Sequence, residues 1–237
     1  MRSFIIHMAG DHKRAPNVRQ LLDRLPEAEV VEAVRGADLL AKGEVRTRPG
    51  DLHRPRYPFA LSGGEVGCFL SHRACWQRIV EEGLDHALIV EDDLAPISPE
   101  WEAALHLAQA NAGAESYIRL PAKLRETPVA MVGERNGARL FLPGVIGLQT
   151  VAQVVGRDAA KRLLAASEVI DRPVDSFLQM HWVTHQPVHT VQPSGVRELT
   201  EELGGSTIQK RPAGSRALRE VRRALYRAQL RARPQRG

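Results

Sequence analysis

Glu91, Asp92 and Asp93 are three consecutive carboxylates placed directly after the apolar run His86-Ala87-Leu88-Ile89-Val90. Three adjacent negative charges repel one another, and no residue nearby in the chain carries a compensating cation. A divalent cation would neutralise them, and hard carboxylate oxygens suit Mg²⁺ or Mn²⁺. At the carboxyl end of a buried parallel strand, such a cluster lies where α/β folds take their ligands. The chemistry would be metal-assisted handling of a phosphate group. The alternative is an acidic loop that follows a strand.

The elements needed to position that cluster can be read along the 237 residues. Residues 3–8, 29–34, 86–90, 116–120, 139–142, 148–155 and 188–191 are short apolar or β-branched runs that predict strands. Pro16 opens a helix reaching about Leu25, with Val18, Leu21, Leu22 and Leu25 at helical steps. Ser62-Gly63-Gly64-Glu65 reads as a capping box before a helix that Gly83 stops. Helices are also predicted after Ser98-Pro99, over 157–166, and from Pro173 to about His181. Residues 42–60 form a long Gly- and Pro-containing basic loop, and 121–138 is turn-rich. Alternating strands and helices predict an α/β fold: an open, mainly parallel sheet with helices on both faces.

The composition allows a substantial core, and no stretch approaches the roughly 20 apolar residues of a membrane span. The Met1–Met8 run is too brief for a signal peptide, so the expectation is a cytoplasmic protein. Cys68 and Cys75 are two helical turns apart, roughly 10 Å, beyond disulfide reach. They read as free thiols in a reducing compartment. Of the formal net charge of +5, residues 210–237 hold ten Lys or Arg against Glu220, which leaves the first 209 residues at net −4. The basicity therefore belongs to a tail, which argues against a nucleic-acid-binding body. Leu218, Val221, Leu225, Ala228 and Ala232 form a stripe on that tail, flanked by arginines. Such a helix suits a peripheral position on an anionic membrane surface, on the inner face of the cytoplasmic membrane. Docking on the acidic body and fraying are the alternatives.

The segment Gly64-Glu65-Val66-Gly67-Cys68-Phe69-Leu70-Ser71-His72, followed by Trp76 and then by Leu88-Ile89-Val90-Glu91-Asp92-Asp93-Leu94, resembles glycosyltransferase family 25. Weaker echoes are Ile5-Ile6-His7-Met8 with Arg14, Thr150-Val151-Ala152, Ala160 to Leu164, Pro173-Val174-Asp175 and Gly205-Ser206-Thr207-Ile208. His7, Gly10, Leu148 and Gln153 depart from residues usual in the family. The resemblance implies one GT-A-like (Rossmann-like) domain over 1–209, with 210–237 as a basic amphipathic tail. It also implies a hexosyltransferase using a UDP-sugar, UDP-galactose foremost. The acceptor would be a lipopolysaccharide, a lipooligosaccharide or another glycan or glycolipid. Family members that make β-linkages imply inversion.

Such a transfer needs a neutralised diphosphate leaving group and a base for the acceptor hydroxyl. Asp93 is the expected direct ligand of Mn²⁺ or Mg²⁺, assisted by Glu91. In an extended strand these two share a face while Asp92 points the other way, towards the sugar or a loop. His7, Arg14, His72, Glu91, Asp92 and Thr150 are the expected donor-binding positions. Asp175 is the candidate base, set just after a proline, although an acid in a first helical turn also answers the helix dipole. His72 could equally be a hydrogen-bonded core histidine. His181, His185 and His189 recur every four residues, but Pro187 breaks a helix between them. His189, on the last predicted strand, is the remaining metal-ligand candidate. Arg46, Arg48, His53, Arg54 and Arg56 are either anion contacts or ordinary surface charge.

Two other functions fit the same residues. One is a metal-dependent nucleotidyl transferase, which also uses clustered carboxylates. The other is a non-enzymatic adaptor that grips a nucleotide or polyanion through the arginine tail.

Overall fold

The computed structural model describes residues 1–204 and 216–236. The echo at Gly205-Ser206-Thr207-Ile208 lies outside the described residues. An eight-stranded sheet runs in the order β2 (Ala28–Glu32), β1 (Ser3–His7), β3 (His86–Glu91), β8 (Ala152–Gly156), β5 (Tyr117–Arg119), β9 (His189–Gln192), β7 (Ala138–Pro143), β6 (Pro128–Arg135). A two-stranded sheet pairs β4 (Leu94–Pro96) with β10 (Val196–Glu198).

The sheet is mixed, which corrects the expectation of mainly parallel strands. Only β1 with β2, β1 with β3, and β5 with β9 pair in parallel. β8 runs antiparallel between β3 and β5, and β7 antiparallel to both β6 and β9. A short apolar run has the same side-chain pattern in either direction, so strand direction is not encoded locally.

Alternation along the central strands gives the sheet two apolar faces. Ile5, Leu88, Val90, Ile118 and Val154 face α1 (Ala15–Arg24) and α4 (Glu100–Ala110), packing against Val18, Leu21, Trp101 and Ala104. Phe4, Ile6, Ala87, Ile89 and Val155 face the other way. They meet Phe69, Trp76 and Ile79 of α3 (Gly63–Glu81), Leu163 of α5 (Arg157–Ala166) and Phe177 of α6 (Val174–Leu178). The predicted helix from Pro173 is broken into α6 and α7 (His181–Thr184).

Two elements are not among those the sequence predicts. α2 (Gly36–Lys42) precedes the basic loop. β6 occupies part of the turn-rich 121–138 stretch and forms a hairpin with β7. Asn136 and Gly137, at φ 48° and 82°, supply the paired left-handed residues a tight hairpin needs.

The tail forms α8 (Arg216–Arg231), and it docks on the body. Tyr226 and Leu230 are the buried residues of that helix, not the predicted stripe. Beyond it, buried Gln235 accepts from the Val188 amide at 2.9 Å, and its side-chain amide donates to Pro143 O at 2.9 Å and Val188 O at 3.0 Å. Cys68 and Cys75 are free thiols. Among the described residues no helix is long and apolar enough to cross a membrane.

Candidate active site

Helix α3 begins with the capping box that its sequence predicts. The Glu65 amide donates to Ser62 Oγ at 3.2 Å, and the Ser62 amide donates to Glu65 Oε2 at 2.7 Å. Facing glycines, Gly67 on α3 and Gly36 on α2, then let the helix approach its neighbour. A Cβ on Gly67 would lie 2.5 Å from Val34 O, and one on Gly36 would lie 2.2 Å from Gly67 N. Ser71 Oγ accepts from the Val34 amide at 2.8 Å and donates to Gly67 O at 2.7 Å. This close seat fixes the rotation of α3 and aims His72 at the end of β3.

His72 is fully buried. Its Nε2 donates to Glu91 Oε1 at 3.1 Å, and its Nδ1 accepts from Gln153 Nε2 at 3.1 Å. Thr150 Oγ1 also donates to Glu91 Oε1, at 2.6 Å. Burial alone would raise the Glu91 carboxyl. The hydrogen bonds from His72 and Thr150, with the Arg14 charge, hold it below its usual value instead.

Strand β3 ends at Glu91, so Asp92 and Asp93 are turn residues and strand alternation does not extend to them. Asp92 turns towards β1 and α1. His7 Nδ1 donates to Asp92 Oδ2 at 2.8 Å, and Arg14 donates to Asp92 Oδ1. Asn17 donates to the backbone oxygens of Asp92 and Leu94 at 2.8 and 2.9 Å, clamping the turn. Arg14 Nη1 also lies 3.4 Å from Asp93 Oδ2, and Thr200 Oγ1 donates to that oxygen at 2.7 Å. The cation that local sequence lacks thus arrives from the first helix.

That neutralisation is incomplete. Burial, and then the Glu91 charge, push Asp93 up to about 6 despite Thr200 and Arg14. Among the described residues Glu91 Oε2 and Asp93 Oδ1 accept no hydrogen bond. These hard, crowded oxygens have the donor chemistry of a Mg²⁺ or Mn²⁺ site. The triplet does not itself gather into a three-ligand cage. Among the described residues the set of three ligating side chains that converges, with donor atoms within 4.8 Å of one another, is Cys68, His72 and Glu91.

Asp175 sits in the first turn of α6, where its Oδ1 accepts from the Ser176 amide at 2.6 Å. Burial, outweighing that bond, raises its carboxyl, and Glu91 is near enough to add to the rise. The segment before it is anchored by residues that sequence reasoning missed. Buried Arg172 forms a two-pronged pair with Asp171, at 2.7 and 2.8 Å. Arg172 also donates to Pro55 O at 3.1 Å, His53 O at 3.3 Å and the Tyr226 hydroxyl at 3.2 Å. One guanidinium therefore joins α6, the basic loop and α8. Arg119 plays a similar part nearby, paired with Glu126 at 2.6 Å and donating to Leu148 O at 2.7 Å.

His189 does not join the cluster, against its expected metal role. It lies on β9, three strands from β3, which is roughly 14 Å at sheet spacing. It pairs with Ile118, which is level with Val154 and so with Leu88, three residues short of Glu91. Thr200, by contrast, reaches the site from beyond β10 with no sequence signal.

Comparison with known proteins supplies a family model described as Glycosyltransferase family 25 (LPS biosynthesis protein), which matches residues 1–178. A glycosyltransferase 25 family member of Drosophila melanogaster is 31% identical over 193 residues, covering 78% of this chain and 31% of that protein. Human procollagen galactosyltransferase 2 is 29% identical over 189 residues, covering 73% of this chain and 29% of its own. The human inactive glycosyltransferase 25 family member 3 is 32% identical over 198 residues, covering 77% and 32%. The chain thus spans about a third of the length of these curated relatives. A solved structure, mannose-1-phosphate geranyltransferase from Thermus thermophilus, superposes with a TM-score of 0.41 at 10% identity, covering 80% of this chain and 72% of that one.

Proposed function

The chain belongs to glycosyltransferase family 25, and we propose that it transfers a hexose, galactose in the first instance, from a UDP-sugar to a hydroxyl of a glycan or glycolipid acceptor. The reaction would proceed with inversion, on a GT-A-like domain over 1–209. The observation that carries this reading is the buried acidic terminus of β3, held by His7, Arg14, His72 and Thr150, with Asp175 in electrostatic reach of Glu91. Galactose is favoured by the name of the human procollagen galactosyltransferase, and a lipopolysaccharide-type acceptor by the family description.

In the proposed step Asp175 takes the proton of the acceptor hydroxyl. The acceptor oxygen bonds to the sugar C1 as the C1–O bond to the diphosphate breaks, and UDP leaves with that electron pair. The raised Asp175 carboxyl makes it a stronger base than an ordinary aspartate. Arg14 and His7 lock Asp92, and His72 and Thr150 lock Glu91, so neither carboxylate must reorganise when the donor arrives. A divalent cation, Mn²⁺ or Mg²⁺, would be held by Asp93 and Glu91 and would supply positive charge against the leaving diphosphate.

A second reading has its own observation. The inactive human family member is as similar to this chain as the galactosyltransferase is, so the fold could serve donor binding without turnover. Thermal shift against a panel of nucleotide sugars, with and without Mn²⁺, followed by UDP release for the native protein and Asp93→Asn, separates the two. Metal-dependent stabilisation by one UDP-sugar, with release abolished by the substitution, is the expected result. Stabilisation without release favours the second reading, and indifference to every nucleotide sinks both.

A further inference from the structure

Where α8 meets the basic loop, a groove of about 430 Å³ is lined by Arg54, Arg56, Arg222, Leu225, Tyr226 and Arg233, among others. Four guanidinium groups border one concavity. None of them forms an ion pair among the described residues, and Glu220, the tail's acid, is taken by Arg223. Residues 205–215, which lead into the helix, contain no acid in their sequence. Like charges gathered this way favour a ligand that brings several anionic oxygens, and the planar guanidinium fork matches phosphate.

The groove has an apolar rim. Leu218, Val221 and Leu225 recur at steps of three and four on α8 and are 52%, 55% and 59% exposed. Leu225 belongs to both rim and groove. The helix is held in one orientation. Tyr226 is buried against Tyr57, with ring centroids 5.5 Å apart, and hydrogen-bonded to Arg172, while Gln235 pins the chain beyond it. A soluble anion would use the arginines and leave the leucines in water. A bilayer surface uses both, because phosphates lie at headgroup depth and short apolar side chains enter the acyl boundary.

We propose that this face of α8, with Arg54 and Arg56, binds the phosphate headgroups of an anionic lipid surface. Tyr226 lines the groove and accepts a hydrogen bond from Arg172, three residues before Asp175, so such contact would bring a lipid-borne acceptor to the Asp175 side of the molecule. That last consequence rests on the proposed sugar transfer, but the binding itself does not.

The test is vesicle flotation without donor or metal, so failure of sugar transfer would leave its result intact. Phosphatidylcholine vesicles are compared with vesicles also containing phosphatidylglycerol. The native protein is expected to float only with the anionic vesicles, less so as salt rises. Combined Arg54→Ala, Arg56→Ala and Arg222→Ala should weaken binding roughly a hundredfold, at about a fivefold loss per headgroup-depth arginine. Leu225→Asp, which keeps every arginine, should also weaken it. Equal binding to both vesicle types, or a triple variant that binds like the native protein, overturns the proposal. Stabilisation by inorganic phosphate without flotation also overturns it, and assigns the groove to a soluble phosphate.

Discussion

His72 and Glu91, nineteen residues apart in sequence, meet through a 3.1 Å hydrogen bond that sets helix α3 against the end of β3. The bond joins the two sequence motifs that carry the family resemblance. Removing it by His72→Ala would leave Glu91 Oε1 with Thr150 alone and strip buried Gln153 of its acceptor. We expect a loss of roughly 2–4 kcal/mol in chemical denaturation, from a cavity and an unpaired buried amide. UDP release should fall with it, because Glu91 loses its largest source of stabilised charge.

Asp93 predicts an unusual pH dependence of stability. Its carboxyl is raised from 3.8 to about 6, so the stability linked to its proton is complete below 3.8 and is lost as pH rises through about 6. The loss amounts to at most roughly 3 kcal/mol. In metal-free protein Asp93→Asn should flatten that part of the profile of melting temperature against pH. Mn²⁺ should stabilise the native protein more at pH 8 than at pH 5. A cation effect independent of pH would count against Asp93 as a ligand.

Asp175→Asn keeps the shape of the side chain and removes the proposed base. We expect kcat to fall about 10²- to 10⁴-fold with little change in donor affinity. In the native protein the acid limb of kcat should lie above the ordinary aspartate range, with activity rising as Asp175 deprotonates. An unchanged pH profile in the variant would assign the base elsewhere.

Gly67→Ala tests the seat of α3. A methyl group there meets Val34 O at 2.5 Å, a backbone atom with no rotamer to yield. Denaturation should show a loss of about 1–3 kcal/mol, and hydrogen exchange should quicken around Val34. An unaltered midpoint would mean that the helix can slide without cost.

These residues differ in how openly the sequence declares them. Glu65, Gly67, Ser71 and His72 fall at helical spacing on a capped helix, so their common purpose shows locally. The two-sided burial of β1 and β3 is equally plain in their unbroken apolar runs. The insertion of β8 between β3 and β5 depends on pairing between distant segments, and nothing in Ala152–Gly156 states its direction. Strand β6 was hidden because Pro128 and Gly133 read as breakers, yet an edge strand tolerates both. His189 lies on a strand that is legible in the sequence, but the pairing that sets it apart from Glu91 is not. Asp171 and Arg172 look like an ordinary charged pair in sequence. Only the apolar neighbours Ile170 and Val174 hint that both are interior.

The Arg172 guanidinium is a junction of three distant stretches of chain, and the last of them is helix α8. Clipping the protein after Gly204 would therefore do more than trim a decoration. It would empty the seat of Tyr226, uncover Arg172, and loosen the segment that carries Asp175 three residues further on. A helix rich in arginine, easily taken for a dispensable appendage, is a structural member of the body on which it docks.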